Sequence, residues 1–305
     1  MDIFIYLLIL MSCSNSTAPI NITQNYKSTC DRLCKFNYEY PQSSLSVLNN
    51  GSYLKIGYEN SSTPSVIFNN VEMSVSEIRL YRPSLHQYNG NNADAELIIK
   101  HIGNGSNVLV CVPISISASK TASSDLLDTI LSNTLSKAPN QGESTQINIK
   151  NFTLNDFVPT ASFYSYKGTL PYDPCSGSYN YVVFDKRDGA QISTTGYSNL
   201  SKLITKQTTE IKQNEFFYNK TGSGEGLNTT DLGDGFYLEC DAAGEEGEVL
   251  YTTMPSSSGS TSGSGGTDIN TKLKGVNSET WTIIAATGGA IAAIMLILIL
   301  KRYIR

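Results

Sequence analysis

Residues 84–101, SLHQYNGNNADAELIIKH, constrain the fold more tightly than any other stretch of the chain. They read as a turn that feeds a strand. Tyr88-Asn89-Gly90-Asn91-Asn92 is turn chemistry, because Gly and Asn accept the left-handed backbone that a tight reversal needs. Leu97-Ile98-Ile99 then makes the apolar centre of a half-buried strand over 95–101, with polar flanks. A chain organised around such a segment is committed to a sheet.

The surrounding sequence agrees. Short strands are expected at 36–40, 66–68, 77–81, 147–154 and 180–184. Two more flank Asn49-Asn50-Gly51 within 45–58, a strong hairpin signal. Residues 108–114 (VLVCVPI) are a continuous apolar strand, which makes Cys111 a buried free thiol. Helical spacing stands out at 124–136, where Leu126, Leu127, Ile130, Leu131 and Leu135 share a face. A strand-like piece follows much later, at 235–240.

The two ends set the topology. Residues 3–11 (IFIYLLILM) are an apolar run of signal-peptide length with small residues at 12–14, so 1–14 reads as a signal peptide that takes Cys13 with it. Residues 281–300 are twenty mostly apolar, uncharged positions, enough for about 30 Å of helix. Lys301, Arg302 and Arg305 follow at once, which puts the tail 301–305 on the cytosolic or interior side. The expected protein is therefore single-pass, with its ectodomain outside. The ectodomain spans 15–220, an acidic extension 221–254 and a Ser/Gly-rich linker 255–280.

Charge excludes one class of partner. The net charge is −5, but residues 18–220 hold 17 Lys+Arg against 16 Asp+Glu, so the body is neutral. The acidity is concentrated in 221–254, which holds eight acids and no base. Nucleic-acid binding needs a basic stripe that this chain lacks. In an oxidising compartment Cys30, Cys34, Cys175 and Cys240 are the disulfide candidates, and spacing does not fix their pairing. Sequons fall at Asn15, Asn21, Asn50, Asn60, Asn104, Asn151, Asn199, Asn219 and Asn228, each a glycosylation candidate if the chain passes the secretory machinery.

Several motifs share one source. Residues 84–101 resemble, without a gap, the α-carbonic anhydrase segment S-E-H-T-V-D-G-x-x-x-A-A-E-L-H-L-V-H. Ser84, His86, Gly90, Ala95, Glu96, Leu97 and His101 fall on matching letters. Residues 18–22 (APINI) resemble that family's S-P-I-N-I motif, and 45–58 its L-x-x-x-N-N-G-x-x-x-x-V hairpin. Residues 163–175 (FYSYKGTLPYDPC) resemble F-W-T-Y-P-G-S-L-T-T-P-P-C, and 189–193 the downstream I-S loop. The resemblance runs from about residue 18 to about 206, in order. It implies a mainly β fold with short helices around a central, mostly antiparallel twisted sheet, to which the C-terminal transmembrane helix is added.

The same resemblance implies that the chemistry is lost. The family holds zinc through three histidines, and the metal lowers the pKa of bound water to about 7. This chain has two histidines in all. The former zinc-ligand positions carry Arg79, Tyr81 and Ile98; the acid of S-E-H-T is Leu85, and the hydroxide-orienting Thr is Pro171. Glu96 keeps the place of a residue that supports a ligand from behind. His86 and His101 match non-ligand histidines and read as structural. Arg79, Tyr81, Arg82 and Tyr172 are candidates to line the old funnel, either as a groove for sugars or anions or as packing that fills it. Cys175 falls where secreted members place a disulfide cysteine, which implies a bond to Cys34 or Cys30.

The expected protein has no cofactor and is not an enzyme. It resembles the membrane-anchored, inactive carbonic anhydrase-like proteins of large DNA viruses, which implies a virion membrane location and an envelope or surface role. Its partners would be the membrane together with a host surface glycan or protein, or a capsid or envelope protein. The alternative is an active zinc carbonic anhydrase with a non-standard ligand set.

Overall fold

The computed structural model describes residue 13 and residues 15–59 and 64–227. The expected signal peptide apart from Cys13, the strand-like piece expected at 235–240, the expected linker, the apolar run at 281–300, Cys240, Asn60 and Asn228 lie outside the described residues. No helix among the described residues is long and apolar enough to cross a membrane.

The described residues form sixteen strands and two α-helices. In order they are β1 (Asn21–Ile22), β2 (Phe36–Tyr38), β3 (Leu45–Asn49), β4 (Leu54–Tyr58), β5 (Val66–Phe68), β6 (Val71–Tyr81), β7 (Gln87–Tyr88) and β8 (Asn91–Asn92). Then come β9 (Ala95–Gly103), β10 (Asn107–Ile116), α1 (Ala122–Lys137), β11 (Ser144–Ile147), β12 (Phe163–Gly168) and β13 (Tyr179–Phe184). The order closes with β14 (Ala190–Ile192), α2 (Thr194–Leu203), β15 (Phe217–Asn219) and β16 (Gly224–Glu225). The main sheet runs β11-β3-β4-β6-β9-β10-β13-β12-β15. It is mixed: most pairs are antiparallel, but β10 runs parallel to both β13 and β14. A second arm leaves β6 through β5 and β2 to β16.

Local chemistry explains these elements. At the β7–β8 hairpin Asn89 (φ 51°) and Gly90 (φ 80°) both take left-handed backbone, as a two-residue reversal of this hand requires. β9 and β10 are buried along almost their whole length, so they read as continuous apolar runs, whereas the edge strand β11 is largely exposed. Thr121 caps α1 by accepting from Ser124 N at 3.2 Å, while Thr121 N donates to Ser124 Oγ at 2.9 Å. Leu127, Ile130 and Leu131 bury the inner face of α1. A Cβ on Gly196 would come within 1.9 Å of Asp128 Oδ1, so α2 packs this closely on α1 because residue 196 has no side chain.

The sheet separates two apolar layers. In an antiparallel pair opposite residues point to one face. The registers Arg79↔Ile98, Tyr81↔Glu96 and Cys111↔Ile98 therefore put these five side chains on the same side. That side carries an aromatic layer with Tyr81, Ile98, Leu109, Cys111, Tyr164, Tyr166 and Tyr181. The other side holds the main core, with Ile78, Leu80, Leu97, Ile99, Val110, Val112, Leu127, Phe163 and Phe184.

Four expectations are corrected. The strand placed at 147–154 ends at Ile147; Asn151 then turns with φ 58°, and a 3-10 turn at Leu154–Asp156 follows, capped by Thr153. The 189–193 loop contains β14, and α2 after it was not expected; its buried Gly196, Leu200 and Leu203 leave only two large apolar residues to signal a helix. The domain does not stop at 220, because β16 pairs with β2 and Gly226 N donates to Tyr38 O at 2.9 Å.

The fourth correction is covalent. Cys175 bonds neither Cys34 nor Cys30: the bridges are Cys13–Cys175 and Cys30–Cys34, with Cα atoms 5.4 and 5.6 Å apart. Cys34 N donates to Cys30 O in a single turn, which brings those two together. Thr17 and Thr169 exchange N–H to hydroxyl hydrogen bonds of 3.1 and 3.0 Å, which lays the start of the domain beside the loop that holds Cys175. Cys13 is thus bonded within the folded domain, where the sequence expected it to leave with a 1–14 leader. Among the described residues Cys111 is free and buried, as its strand implied.

Candidate functional site

β6 and β9 deliver Arg79, Tyr81 and Ile98 to one patch of the aromatic face, because residues two apart on a strand share a side and Ile98 lies directly across from Arg79. Arg79 occupies the middle of the patch. Its guanidinium carbon is 3.8 Å from the ring centroid of Tyr172 and 4.4 Å from that of Tyr53. Nη1 donates to the Tyr81 hydroxyl at 3.2 Å and Nη2 to Glu77 at 3.0 Å. Lys55 reaches the same Glu77 at 3.4 Å. Tyr81 stacks on Tyr172, with ring centroids 6.0 Å apart. A desolvated cation between two aromatic faces gains about 2 kcal/mol.

Protonation states fix what the patch can do. Burial works against the charge of Arg79, but the Tyr81 phenol and Glu77 outweigh it and its pKa lies above the ordinary arginine value. Burial raises the pKa of Tyr81, partly offset by Arg79, and raises that of Tyr172. The patch is therefore a fixed cation beside two neutral phenols. It does not fit zinc. Ile98 has no donor atom, the guanidinium has no free lone pair, and a second cation would meet Arg79 head on.

Leu85 and Pro171 line a cavity of about 250 Å³ above the patch, together with Cys13, Tyr81, Tyr172 and Lys212. Neither brings an acid or a hydroxyl to it. Of the four residues expected in the old funnel, Arg79, Tyr81 and Tyr172 converge. Arg82 does not: its guanidinium lies over Tyr197 at 5.7 Å and faces a different cavity. Tyr53 and Glu77 complete the cage and were not singled out from sequence. The alternation Glu77-x-Arg79-x-Tyr81 on one strand was the available signal.

Behind Ile98 lies the one group of three potential ligands among the described residues: His86, Glu96 and Cys111. All three are buried, and His86 and Glu96 are engaged. Glu96 Oε1 meets His86 Nδ1 at 2.6 Å, and Glu96 Oε2 accepts from Leu85 N at 2.7 Å and His86 N at 3.2 Å. His86 Nε2 meets the Tyr166 hydroxyl at 2.7 Å. Burial, then Glu96, pushes the Cys111 thiol well up, so it stays protonated. The network pins the turn before β7 and occupies both ring nitrogens of His86 and both carboxylate oxygens of Glu96.

His101 lies on the other face, in the main core, with Nε2 3.0 Å from the Tyr40 hydroxyl. Burial lowers its pKa to about 3. An unfolded histidine near 6.5 binds a proton that the folded one refuses, so stability should be lost as pH falls from about 6.5 towards 3, by up to about 1.4 kcal/mol per pH unit. The urea midpoint of His101→Gln should fall less steeply over that window. Parallel curves for the two proteins would remove the assignment.

The sequons differ in what the fold permits. Asn104 and Asn151 are exposed, while Asn21, Asn50 and Asn199 are half-buried. Asn219 is buried: Nδ2 donates to Cys34 O at 2.7 Å and Oδ1 accepts from Gly222 N at 2.7 Å. A glycan there is incompatible with this structure, which corrects its candidacy.

Comparisons with known proteins bear on the whole domain. The family model described as eukaryotic-type carbonic anhydrase matches residues 10–219. No curated protein sequence matches the chain. Among solved structures, an α-carbonic anhydrase from Photobacterium profundum is similar at 16% identity and TM-score 0.55, over 67% of this chain and 89% of that one. An α-carbonic anhydrase from Thermovibrio ammonificans, complexed with the inhibitor sulfanilamide, is similar at 17% and 0.55, over 70% and 89%. Dioscorin, complexed with ascorbate, is similar at 19% and 0.53, over 67% and 85%. At these identities the likeness is one of fold.

Proposed function

Because the chain belongs to the eukaryotic-type carbonic anhydrase family, we propose that it is a catalytically inactive member that serves as a membrane-anchored binding or structural protein of an envelope surface. The observation that carries this reading is Arg79, a permanent cation caged by Tyr53, Tyr172, Tyr81 and Glu77 where the family pattern asks for a metal ligand. A chain under selection for CO₂ hydration keeps an open position for water on a metal; here that space is packed. Anchoring rests on the uncharged run at 281–300 and the three bases among the last five residues. The neutral body gives no support to a partner recognised by net charge alone.

Two measurements on the full-length chain test the proposal. Purified in detergent, it should carry far less than one zinc per chain and hydrate CO₂ no faster than buffer. Stoichiometric zinc with sulfonamide-sensitive hydration would establish instead the competing reading of an enzyme with another ligand set. In intact membranes, protease should cut the Ser/Gly-rich linker, release the domain and leave a stub containing 281–305. A domain protected until detergent is added would face inward and would exclude a surface role.

A further inference from the structure

We propose that Asn104 is a site of spontaneous chemical modification: its side-chain amide is lost to the backbone nitrogen of Gly105, and an aspartyl or isoaspartyl residue is left. The chain carries three Asn-Gly pairs, at 50–51, 89–90 and 104–105. In such a pair no side chain shields the glycine nitrogen from the neighbouring amide. All three pairs sit in turns between paired strands, β3–β4, β7–β8 and β9–β10. They are alike in sequence, so the fold alone separates them. None touches the Arg79 patch through its asparagine, and the proposal stands or falls separately from the inactive reading.

Two of the pairs are held. Gly51 N donates to Asn49 Oδ1 at 2.8 Å, and Asn50 N donates to Tyr53 O at 3.0 Å. Gly51 is also wedged, because a Cβ placed on it would lie 2.9 Å from the Gln141 side chain. Gly90 N donates to Asn21 Oδ1 at 2.9 Å. Asn89 and Gly90 are both left-handed, the combination that fits the twist of a two-residue hairpin. The third pair differs on each count. No hydrogen bond among the described residues engages Gly105 N or the Asn104 side chain; the ties of this turn flank the pair, with Gly103 N donating to Ser106 O at 2.9 Å and Asn180 Nδ2 to Ser106 Oγ at 3.2 Å. Only Gly105 of the pair is left-handed, at φ 74°, so the turn lacks the matched twist of the β7–β8 hairpin. Both residues are exposed, and a Cβ on Gly105 would meet nothing within 4 Å.

The reaction needs water and no other reactant. Gly105 N loses its proton to solvent and attacks Asn104 Cγ. The N–Cγ bond forms, the Cγ–Nδ2 bond breaks, and Nδ2 takes up protons and leaves as ammonia. Water then opens the cyclic imide at either carbonyl. One opening gives aspartate. The other runs the backbone through Cγ and lengthens the turn by one atom. Either product puts a new carboxylate on the tip of β9–β10. A glycine N–H that must first give up a hydrogen bond closes this ring up to about tenfold more slowly. Asn104-Gly105-Ser106 is also a sequon, and a glycan would occupy the nitrogen that ring closure expels. The modification therefore belongs to chains without a glycan at 104, and residue 104 records which route a molecule took.

The test is timed peptide mapping by mass spectrometry. The full-length chain is made in bacteria, where no sequon is glycosylated, and kept folded in detergent at mildly alkaline pH. Conversion at Asn104 should run about tenfold faster than at Asn50 or Asn89, where a bound glycine N–H must first be released. In strong denaturant all three N–H groups are free, and the three rates should agree to within about threefold. Asn21→Ala removes the acceptor of Gly90 N and should raise the rate at Asn89 about fivefold, with Asn50 and Asn104 unchanged as the sign that the variant is folded. Conversion at Asn50 or Asn89 as fast as at Asn104 in the folded chain would overturn the proposal. So would an Asn104 that stays intact while the denatured chain converts. A preference for Asn104 that persisted undiminished in denaturant would move its cause from the fold to the sequence and overturn the argument made from the turn.

Discussion

Cys175→Ser is expected to destabilise the domain by about 5 kcal/mol and to lower its Tm by about 10–20 °C. The Cys13–Cys175 bridge spans a sequence separation of 162. For a loop of that length the chain-entropy expression gives about 5 kcal/mol, and a domain of this size loses about 2–4 °C per kcal/mol. The Cys30–Cys34 bridge spans only 4 positions, and the same expression gives about 2 kcal/mol. Thermal melts of Cys175→Ser and of the Cys30→Ser, Cys34→Ser pair should therefore rank in that order. An equal or inverted ranking would show that loop entropy is not what the long bridge contributes. The long bridge also seats Tyr172, since Cys175 N donates to Tyr172 O at 2.7 Å in the same turn. Near-ultraviolet circular dichroism from the tyrosine cage should weaken in Cys175→Ser and persist in the short-bridge variant.

Glu96→Ala should rank next, at about 3–5 kcal/mol, the usual loss when one partner of a buried hydrogen-bonded pair is removed. The carboxylate is fully buried and holds three donors: Leu85 N, His86 N and the His86 ring. Alanine leaves all three facing a dry space. Glu96→Gln should cost less, because its carbonyl still accepts while its amide opposes a donor. Urea denaturation of the three proteins decides the matter. A Glu96→Ala loss under about 1 kcal/mol would mean that water enters and satisfies the donors, and that the network is not a structural clamp.

The frame of this fold was legible because its strands carry their burial in the sequence. The apolar centre of β9, the unbroken run in β10 and the Asn-Gly turns each force a local outcome that the structure keeps. Arg79, Tyr81 and Ile98 were placed at the ligand positions by motif, and the cross-strand register brings them together. Other features depended on contacts between distant segments. Nothing near Cys13 announces Cys175 as its partner; the Thr17–Thr169 contact does, and that exists only after folding. Tyr53 looked like one more hairpin tyrosine until the β4–β6 pairing set it beside Arg79. Asn219 matched a surface sequon, yet β15 buries it under Cys34 O. Arg82 is two positions C-terminal to a core strand residue and one past Tyr81, and a single step along the chain sends it to a different cavity.

The Cys30–Cys34 bridge has a consequence in time as well as in space. The start of the domain is completed by its end: Ile20 pairs with Lys212, Thr29 with Tyr218 and β2 with β16. During synthesis at about 5–20 residues per second, the first segment waits roughly 10–40 s for those partners. Cys13 waits nearly as long for Cys175. Two further thiols left open in that interval would compete for whichever cysteine emerged next. Cys30 and Cys34 are neighbours across a single turn and can close on each other as soon as both are made. Their early closure withdraws both rivals, so that when Cys175 appears it meets Cys13 as its remaining partner near the chain start.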